Sequence, residues 1–379
     1  MDPEPTLVFD NFDIDLVVKV LSHTLFSPFF ISLIPVFYFF QGAKLTDTVI
    51  TYPTLYLAII SSYWTVKWYS KLYRNQGSIF SPRKHLDWDE QIVLITGGTS
   101  GIGQLLANTL AVRNVTVVVL DIEPLITENH NIAYYKCDVS DWNEVSKVAH
   151  KVVEDIGEPT IIVNNAGVVQ GKLLLDLTPD DINQTFGVNT LAHFWVLKAF
   201  LPGLLRKKAG HIVSIASVMG FVGAAQMTDY NASKAAIVSM HESLRYELDK
   251  RYKCPRIRTT LVCPGHIMTP MFSSITFPPV PNMKFLLPSV QPVTVVKSIV
   301  AALDGDQSQI IMTPFWTNFL PYLRHLPSFA RDFIQNISGA DHSMQNFVKR
   351  TGRRKDEGSV EDGVLFPLNQ TSLVLPLAT

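Results

Sequence analysis

From residue 91 onward, short apolar runs alternate with longer stretches in which apolar positions recur every three or four residues. QIVLITGG (91–98), VTVVVLD (115–121), IAYYKCD (132–138), TIIVNNAG (160–167), HIVSIAS (211–217) and RTTLVCPG (258–265) have the length and β-branched content of buried strands. Between them lie helical patterns: GTSGIGQLLANTLAVR after the first run, then 141–156, about 179–206, and Tyr230 to about Lys250. Strands separated by helices of this length predict an α/β fold, a doubly wound parallel sheet.

The front of the chain is patterned differently. Val20 to Phe40 is a run of 21 residues without a formal charge; as one helix it would span about 31 Å, the thickness of a bilayer's hydrocarbon core. A buried core helix or a secretory segment would share that composition. However, Asp2, Glu4, Asp10, Asp13 and Asp15 precede it, the wrong flank for a signal peptide. A second uncharged run, Thr48 to Val66, carries Tyr52, Ser61, Ser62, Tyr63 and Trp64 and has an interfacial character. It could span, form a re-entrant hairpin or lie flat. Lys67, Lys71, Arg74, Arg83 and Lys84 follow it, which by the positive-inside rule places everything downstream on the cytosolic side. The expected organisation is a membrane-associating region at 1–88, a catalytic Rossmann-type domain at 89–313, a lid or interfacial segment at 314–350 and a partly disordered tail at 351–379.

Composition narrows the function classes. With 32 basic against 33 acidic side chains the formal charge is −1, which gives no electrostatic footprint for nucleic acid. Hydrophobic residues make up 47% and charged residues 17%, a tilt to which a buried sheet and membrane segments both contribute. Cys137, Cys254 and Cys263 are few, odd in number and widely spaced, so neither a disulfide framework nor a metal site is indicated.

The first strand feeds a glycine-rich turn, T-G-x-x-x-G-I-G, with Gly97, Gly101 and Gly103 placed between strand and helix. Glycine there permits a left-handed backbone and lets main-chain N–H groups approach a pyrophosphate at the helix N-terminus. Asp121 ends the second strand 24 residues after Gly97, where a carboxylate can accept both hydroxyl protons of an adenine ribose and repel a 2′-phosphate. No Arg or Lys lies within the turn or directly after Asp121, so the pattern favours NAD over NADP. Asp121 could instead be a turn residue before Glu123-Pro124.

Tyr230 and Lys234 stand four residues apart in a segment suited to a helix, hence on one face. A free phenol has a pKa of about 10, and a neighbouring cation favours its phenolate. These features occur in order with TGGTSGIG, CDV at 137–139, NNAG at 164–167, Asn189, Ser217 thirteen residues before Tyr230, and PGHIMT at 264–269. Over roughly residues 90–300 the chain resembles the short-chain dehydrogenases/reductases. FWVLKAFLPGLL (194–205), GHIVSIASVMGFVG (210–223) and YNASKAAIVSMHESLRYEL (230–248) are similar to the membrane-associated branch with retinol dehydrogenases and 17-beta-hydroxysteroid dehydrogenases of the endoplasmic reticulum and lipid droplets.

That resemblance implies roles. Tyr230 would exchange a proton with the substrate oxygen, Ser217 would hydrogen-bond the same oxygen, Lys234 would also hold the nicotinamide ribose, and Asn189 would support a water relay to Lys234 or simply bond to backbone. Gly97, Thr99, Ser100, Gly101, Ile102 and Gly103 would line the dinucleotide turn. Asp138 and Val139 would meet the adenine, Asn165, Ala166 and Gly167 would follow the ribose, and Pro264, Gly265, Ile267 and Thr269 would bracket the carboxamide and phosphates.

The apolar, proline-rich MFSSITFPPVPNMKFLLPSV (271–290) falls where the family places its substrate lid, and suits a lipophilic alcohol or ketone. WTNFLPYLRHLPSFARDFIQNI (316–337) could lie in a membrane interface, act as a lid or contact a second copy. The expected activity is NAD-dependent interconversion of a lipophilic alcohol and its carbonyl, at an endoplasmic reticulum or lipid-droplet surface, with a homodimer implied by the family. An NADPH-dependent lipid ketone reductase and a non-catalytic membrane-binding protein are the competing readings.

Overall fold

The computed structural model describes residues 12–76, 86–126, 129–272, 283–345 and 347. Seven strands, β1 (Ile92–Thr96), β2 (Thr116–Asp121), β3 (Ile132–Lys136), β4 (Ile161–Asn164), β5 (Gly210–Ile215), β6 (Ile257–Pro264) and β7 (Gln309–Thr313), form one sheet. Its order is β3-β2-β1-β4-β5-β6-β7, with every neighbouring pair parallel. Successive residues Val93, Leu94 and Ile95 point to opposite faces, and all are fully buried, which explains why the strands read as continuous apolar runs.

Each face has its own core. Leu106, Ala107 and Leu110 of α4 (Gly101–Ala111) and Val295, Val296 and Ile299 of α10 (Pro292–Asp304) pack on Val93, Ile95 and Val117. On the other side α5 (Trp142–Asp155), α7 (Ala192–Lys207) and α8 (Thr228–Lys250) bring Val145, Val152, Val196, Phe200, Leu244 and Leu248 against Leu94, Val118 and Ile162. Burying each such side chain is worth about 1.5–3 kcal/mol. α6 (Pro179–Phe186) is joined to α7 by a wider π-type turn at Gly187–Leu191. The chain order reverses between β1 and β4, so a crevice opens at their carboxyl ends, where doubly wound folds bind ligands.

The six expected strands are present. The order gains a seventh, β7, and the helix α10 before it, neither marked by a glycine turn of the β1 kind. β7 lies at the sheet's edge and is half-exposed, with Ile310 pointing to solvent.

The continuous helix expected from Val20 to Phe40 is corrected. α1 (Ile14–His23) ends at Thr24, and α2 (Pro28–Phe40) begins after an extended Ser27, with a 47° bend between them. Pro28 has no N–H and forces the preceding residue out of the helical region, so it starts a helix and cannot continue one. The second uncharged run lies within α3 (Thr48–Arg74), which extends beyond it and pairs with α2. Two of α3's aromatic residues repair the break: Trp64 Nε1 donates to the Phe26 carbonyl at 2.7 Å and the Tyr56 hydroxyl to the Leu25 carbonyl at 3.0 Å. Those carbonyls had lost their helical donors.

By length and composition α1 and α2 together could cross a membrane, as could Pro179–Lys207, whose most apolar stretch is half buried in the core. Only Ile31 of α2 is buried, and Phe29, Phe37 and Phe40 are exposed. The region 316–337 forms a 3-10 helix, Phe315–His325, followed by α11 (Ser328–Ser338); a short α9 (Met283–Leu286) precedes α10. Half of the expected lid, 273–282, and the tail 351–379 lie outside the described residues, as do Asp2, Glu4, Asp10, Arg83 and Lys84.

Candidate active site

The glycine turn leaves β1 and enters α4. Gly97 has φ +66° and Gly101 φ +56°, both left-handed. A Cβ on Gly97 would lie 2.8 Å from the Ala166 Cα, and one on Gly103 would overlap the Gly97 carbonyl oxygen. Among the described residues, the only neighbour at Gly101 would be the Thr269 methyl at 3.9 Å, so they leave the space above the α4 N-terminus open on that side. Thr99 and Ser100 complete the turn, Ser100 sitting extended before the helix, while Ile102 packs on the sheet's first core.

Asp121 is fixed at the end of β2. Its Oδ2 accepts from the Thr99 N–H at 3.0 Å and the Thr99 hydroxyl at 2.7 Å, and its Oδ1 from the Glu123 N–H at 3.2 Å. The carboxylate therefore stands beside the glycine turn. Asp138 accepts from the Ser140 N–H and hydroxyl at the approach to α5, and Val139 beside it is buried.

At the end of β4, the Asn165 side chain donates to the Thr96 and Gly97 carbonyls at 3.0 and 2.9 Å, tying the two strand ends together. Thr96 Oγ1 accepts from the Asn165 and Ala166 N–H groups. Gly167 stands between functional candidates: a Cβ there would be 3.5 Å from Asn189 Oδ1 and 3.7 Å from Lys234 Nζ. Asn189 lies in the π-type turn, a widening common at functional sites. Its Nδ2 donates to the Val168 carbonyl at 2.9 Å and Ser233 Oγ at 3.0 Å, and its Oδ1 accepts from the Val168 N–H at 2.8 Å. Both ends of the amide are thus taken up by local protein partners.

Ser217 follows β5, its Oγ accepting from the Met219 N–H at 3.2 Å. Tyr230 and Lys234, on one face of α8, are both buried. Lys234 Nζ donates to the Ile215 carbonyl at 3.0 Å and lies 5.7 Å from the Tyr230 ring centroid. Burial pushes the phenol up to about 12, opposed by a hydrogen bond from Ser217, and pulls the amine down to about 8. The lowered phenol expected from spacing is not what this geometry produces, because burial raises it by more than the Ser217 hydrogen bond lowers it.

Pro264 ends β6, and the Gly265 N–H donates to the Thr313 carbonyl at 2.8 Å. Buried Ile267 bridges Val290, and the Thr269 N–H donates to the Ile267 carbonyl at 2.8 Å. All the sequence-marked residues therefore gather along the carboxyl edge of the sheet.

Two buried polar side chains in this region are not singled out by the sequence: among the described residues, His193 on α7 and Asn164 on β4 have no hydrogen-bond partner on either ring nitrogen or on the amide. Burial and the nearby Lys234 hold His193 well below the usual imidazole range. Val169, Met227 and Met344 share one buried cluster with Tyr230, and Phe272 and Phe347 pack against it. Among the described residues no group of His, Cys, Asp and Glu could hold a metal, and all three cysteines are buried and unpaired.

Comparison with known proteins gives a consistent family. The short chain dehydrogenase family model matches residues 91–277. Short-chain dehydrogenase/reductase family 16C member 6 of Bos taurus is 36% identical over 288 residues, covering 71% of this chain and 87% of its own. Epidermal retinol dehydrogenase 2 of Mus musculus is 35% identical over 288 residues, covering 73% and 90%. Among solved structures, 4-hydroxyisoleucine dehydrogenase complexed with NADH superposes with a TM-score of 0.52 at 22% identity, over 59% of this chain and 97% of that one, a likeness in fold.

Proposed function

The chain belongs to the short-chain dehydrogenases/reductases, oxidoreductases acting on CH–OH groups, and from that premise we propose that it interconverts a lipophilic alcohol and its carbonyl with NAD. One observation carries the reading. Ser217, Tyr230 and Lys234 converge beside a glycine turn that leaves room for a diphosphate, inside an apolar wall of Val169, Met227, Phe272 and Met344.

The residues present fit a dinucleotide: an open, left-handed turn at a helix N-terminus and a fixed carboxylate at the end of β2. Gly97, Thr99, Ser100, Gly101, Ile102 and Gly103 would hold the diphosphate. Asp121 would take the adenine ribose and disfavour a 2′-phosphate, with Asp138 and Val139 near the adenine. Asn165, Ala166, Gly167, Pro264, Gly265, Ile267 and Thr269 would flank the remainder. When bound, the nicotinamide accepts or supplies the hydride.

The chain's own groups handle the proton. For reduction the Tyr230 hydroxyl donates to the carbonyl oxygen while Ser217 holds that oxygen; for oxidation the same hydroxyl, deprotonated, accepts the alcohol proton. Lys234, over the Tyr230 ring, would return the proton to Tyr230. Asn189, a positioning residue, holds the Val168 backbone beside Gly167.

We assign 1–88 to membrane association, 89–313 to catalysis and 314–350 to a covering segment. The exposed aromatic face of α2 and the cations following the second run support attachment to an endoplasmic reticulum or lipid-droplet surface, catalytic domain in the cytosol. An apolar groove of about 700 Å³ between α7 and α8, lined by Phe194, Leu201, Leu205 and Tyr252, suits a homodimer contact.

The test is purified full-length chain in detergent micelles with NAD and retinol or a steroid alcohol, followed by NADH absorbance. Turnover is expected, with Tyr230→Phe at least about a hundredfold slower. Equal activity of wild type and variant, or no lipid-alcohol turnover, would remove this reading.

A further inference from the structure

The loop between Ser217 and Tyr230 is laced, residue by residue, to the segment 315–347. Arg324 donates through Nε to the Phe221 carbonyl at 2.7 Å and through Nη2 to the Gly220 carbonyl at 3.4 Å. Gln335 on α11 donates to the Gly223 carbonyl at 2.8 Å, and Asp341 Oδ1 accepts from the Ala225 N–H at 3.0 Å and from Gln335 at 3.2 Å. These rungs advance along both segments in the same direction, and the next residues in step are Met227 and Met344.

Met344 is completely buried and packs with Met227, Val169 and Tyr230. Phe347 joins the same cluster; its ring lies on Gly171, whose φ is +70° and where a Cβ would overlap the ring. Gln226 Nε2 donates to the Gly171 carbonyl at 3.0 Å, closing that corner. On the other side Phe272 meets the Tyr230 ring edge-on at 6.2 Å. The Tyr230 cluster is therefore built from apolar side chains of four parts of the chain, and only 5% of Tyr230 is exposed.

We infer that Met344 and Phe347 form the substrate-facing wall over Tyr230 and set the size of alcohol or carbonyl that reaches it. The assignment rests on Tyr230 being the proton-exchanging group. The polar rungs fix the backbone behind these side chains, so a change in their volume changes the space beside Tyr230. Methionine at Met219, Met227, Met271 and Met344 gives that wall rotatable, unbranched chains, which reshape around a hydrocarbon more readily than branched residues do. A charged substituent would find no compensating group among these side chains.

The experiment compares wild type, Met344→Ala, Met344→Trp, Phe347→Ala and the conservative Met344→Leu as full-length protein. Probes are a homologous series of secondary n-alkanols and a bulky cyclic secondary alcohol, with NAD, and NADH affinity is followed by fluorescence. Met344→Ala and Phe347→Ala are expected to raise kcat/KM for the bulky alcohol relative to the smallest by about tenfold. Met344→Trp should lower it by a similar factor, and Met344→Leu should keep the wild-type profile. NADH affinity should stay within about twofold throughout. An unchanged size profile in every variant that folds, while Tyr230→Phe still silences turnover, overturns the assignment and leaves the enzyme reading standing. Retained turnover in Tyr230→Phe strikes the enzyme reading itself. Should Met344→Ala not fold, Phe347→Ala and Met344→Trp decide the matter by the same ratio.

Discussion

Lys234 Nζ lies over the Tyr230 ring, 5.7 Å from its centroid, while its hydrogen bond goes to the Ile215 carbonyl at 3.0 Å. The amine is thus anchored to main chain while it faces the ring. With Tyr230 pushed up to about 12 and Lys234 pulled down to about 8, a neutral phenol stands beside an amine that is still largely protonated at neutral pH.

The sign of the pH dependence follows. Carbonyl reduction needs the protonated phenol, which a raised pKa preserves, so kcat/KM for reduction should be flat from about pH 6 to 8. Alcohol oxidation needs the deprotonated form, so its kcat/KM should climb over the same range, by as much as tenfold per unit. Initial rates in both directions provide the check. A flat oxidation profile would place the proton acceptor elsewhere.

Asp121 governs the choice of dinucleotide through a carboxylate already oriented by Thr99. Asp121→Ser removes the charge that repels a 2′-phosphate. It should reduce the ratio of NAD to NADP efficiency by about tenfold to a hundredfold, from roughly 1–3 kcal/mol of differential binding. Competing titrations with the two reduced cofactors measure the shift directly. A ratio that does not move would mean that the carboxylate serves only the Thr99 turn.

Two glycines of one turn should behave differently. A methyl group at Gly103 would collide with the Gly97 carbonyl oxygen, a backbone atom that cannot move without closing the turn. Gly103→Ala is expected to abolish detectable NADH binding. At Gly101 a methyl group meets almost nothing, and the cost is its φ of +56°, about 1 to 2 kcal/mol for an L-residue. Gly101→Ala should still bind, about tenfold more weakly. Fluorescence titration of both variants tests the contrast.

Much of this was legible in the chain because it is local. QIVLITGGTSGIG carries strand, turn and helix within thirteen residues, and the Tyr230–Lys234 interval fixes a shared helix face whatever surrounds it. What could not be read arises from contacts distant in sequence. Met344 joins the buried cluster of Tyr230 across more than a hundred residues. The break at Thr24–Ser27 is stabilised by Trp64 and Tyr56. β7 has a half-exposed edge pattern instead of a buried run. The Tyr230 pKa shows the same limit: spacing gives the neighbour, but only packing gives the desolvation that prevails.

The junction between α3 and the sheet rests on one amide. Asn75, buried just past the end of α3, accepts from the Ser308 N–H at 2.6 Å and donates to the Ser308 carbonyl at 3.3 Å, as a neighbouring strand would. Arg258 donates to the Asn75 carbonyl at 2.8 Å, and Arg245 spans the Arg74 carbonyl and Ser308 Oγ. Ser308 precedes β7, the edge strand, so this clamp covers an edge that would otherwise present unpaired main chain. Asn75→Ala strands a buried N–H and C=O at a cost of about 1–3 kcal/mol. Asn75→Asp keeps an acceptor for the Ser308 N–H but supplies no donor for its carbonyl, so it should also destabilise. Thermal unfolding in detergent should show both variants melting several degrees lower, alanine the lower of the two. If their melting temperatures match wild type, the arginines alone hold α3 to the sheet.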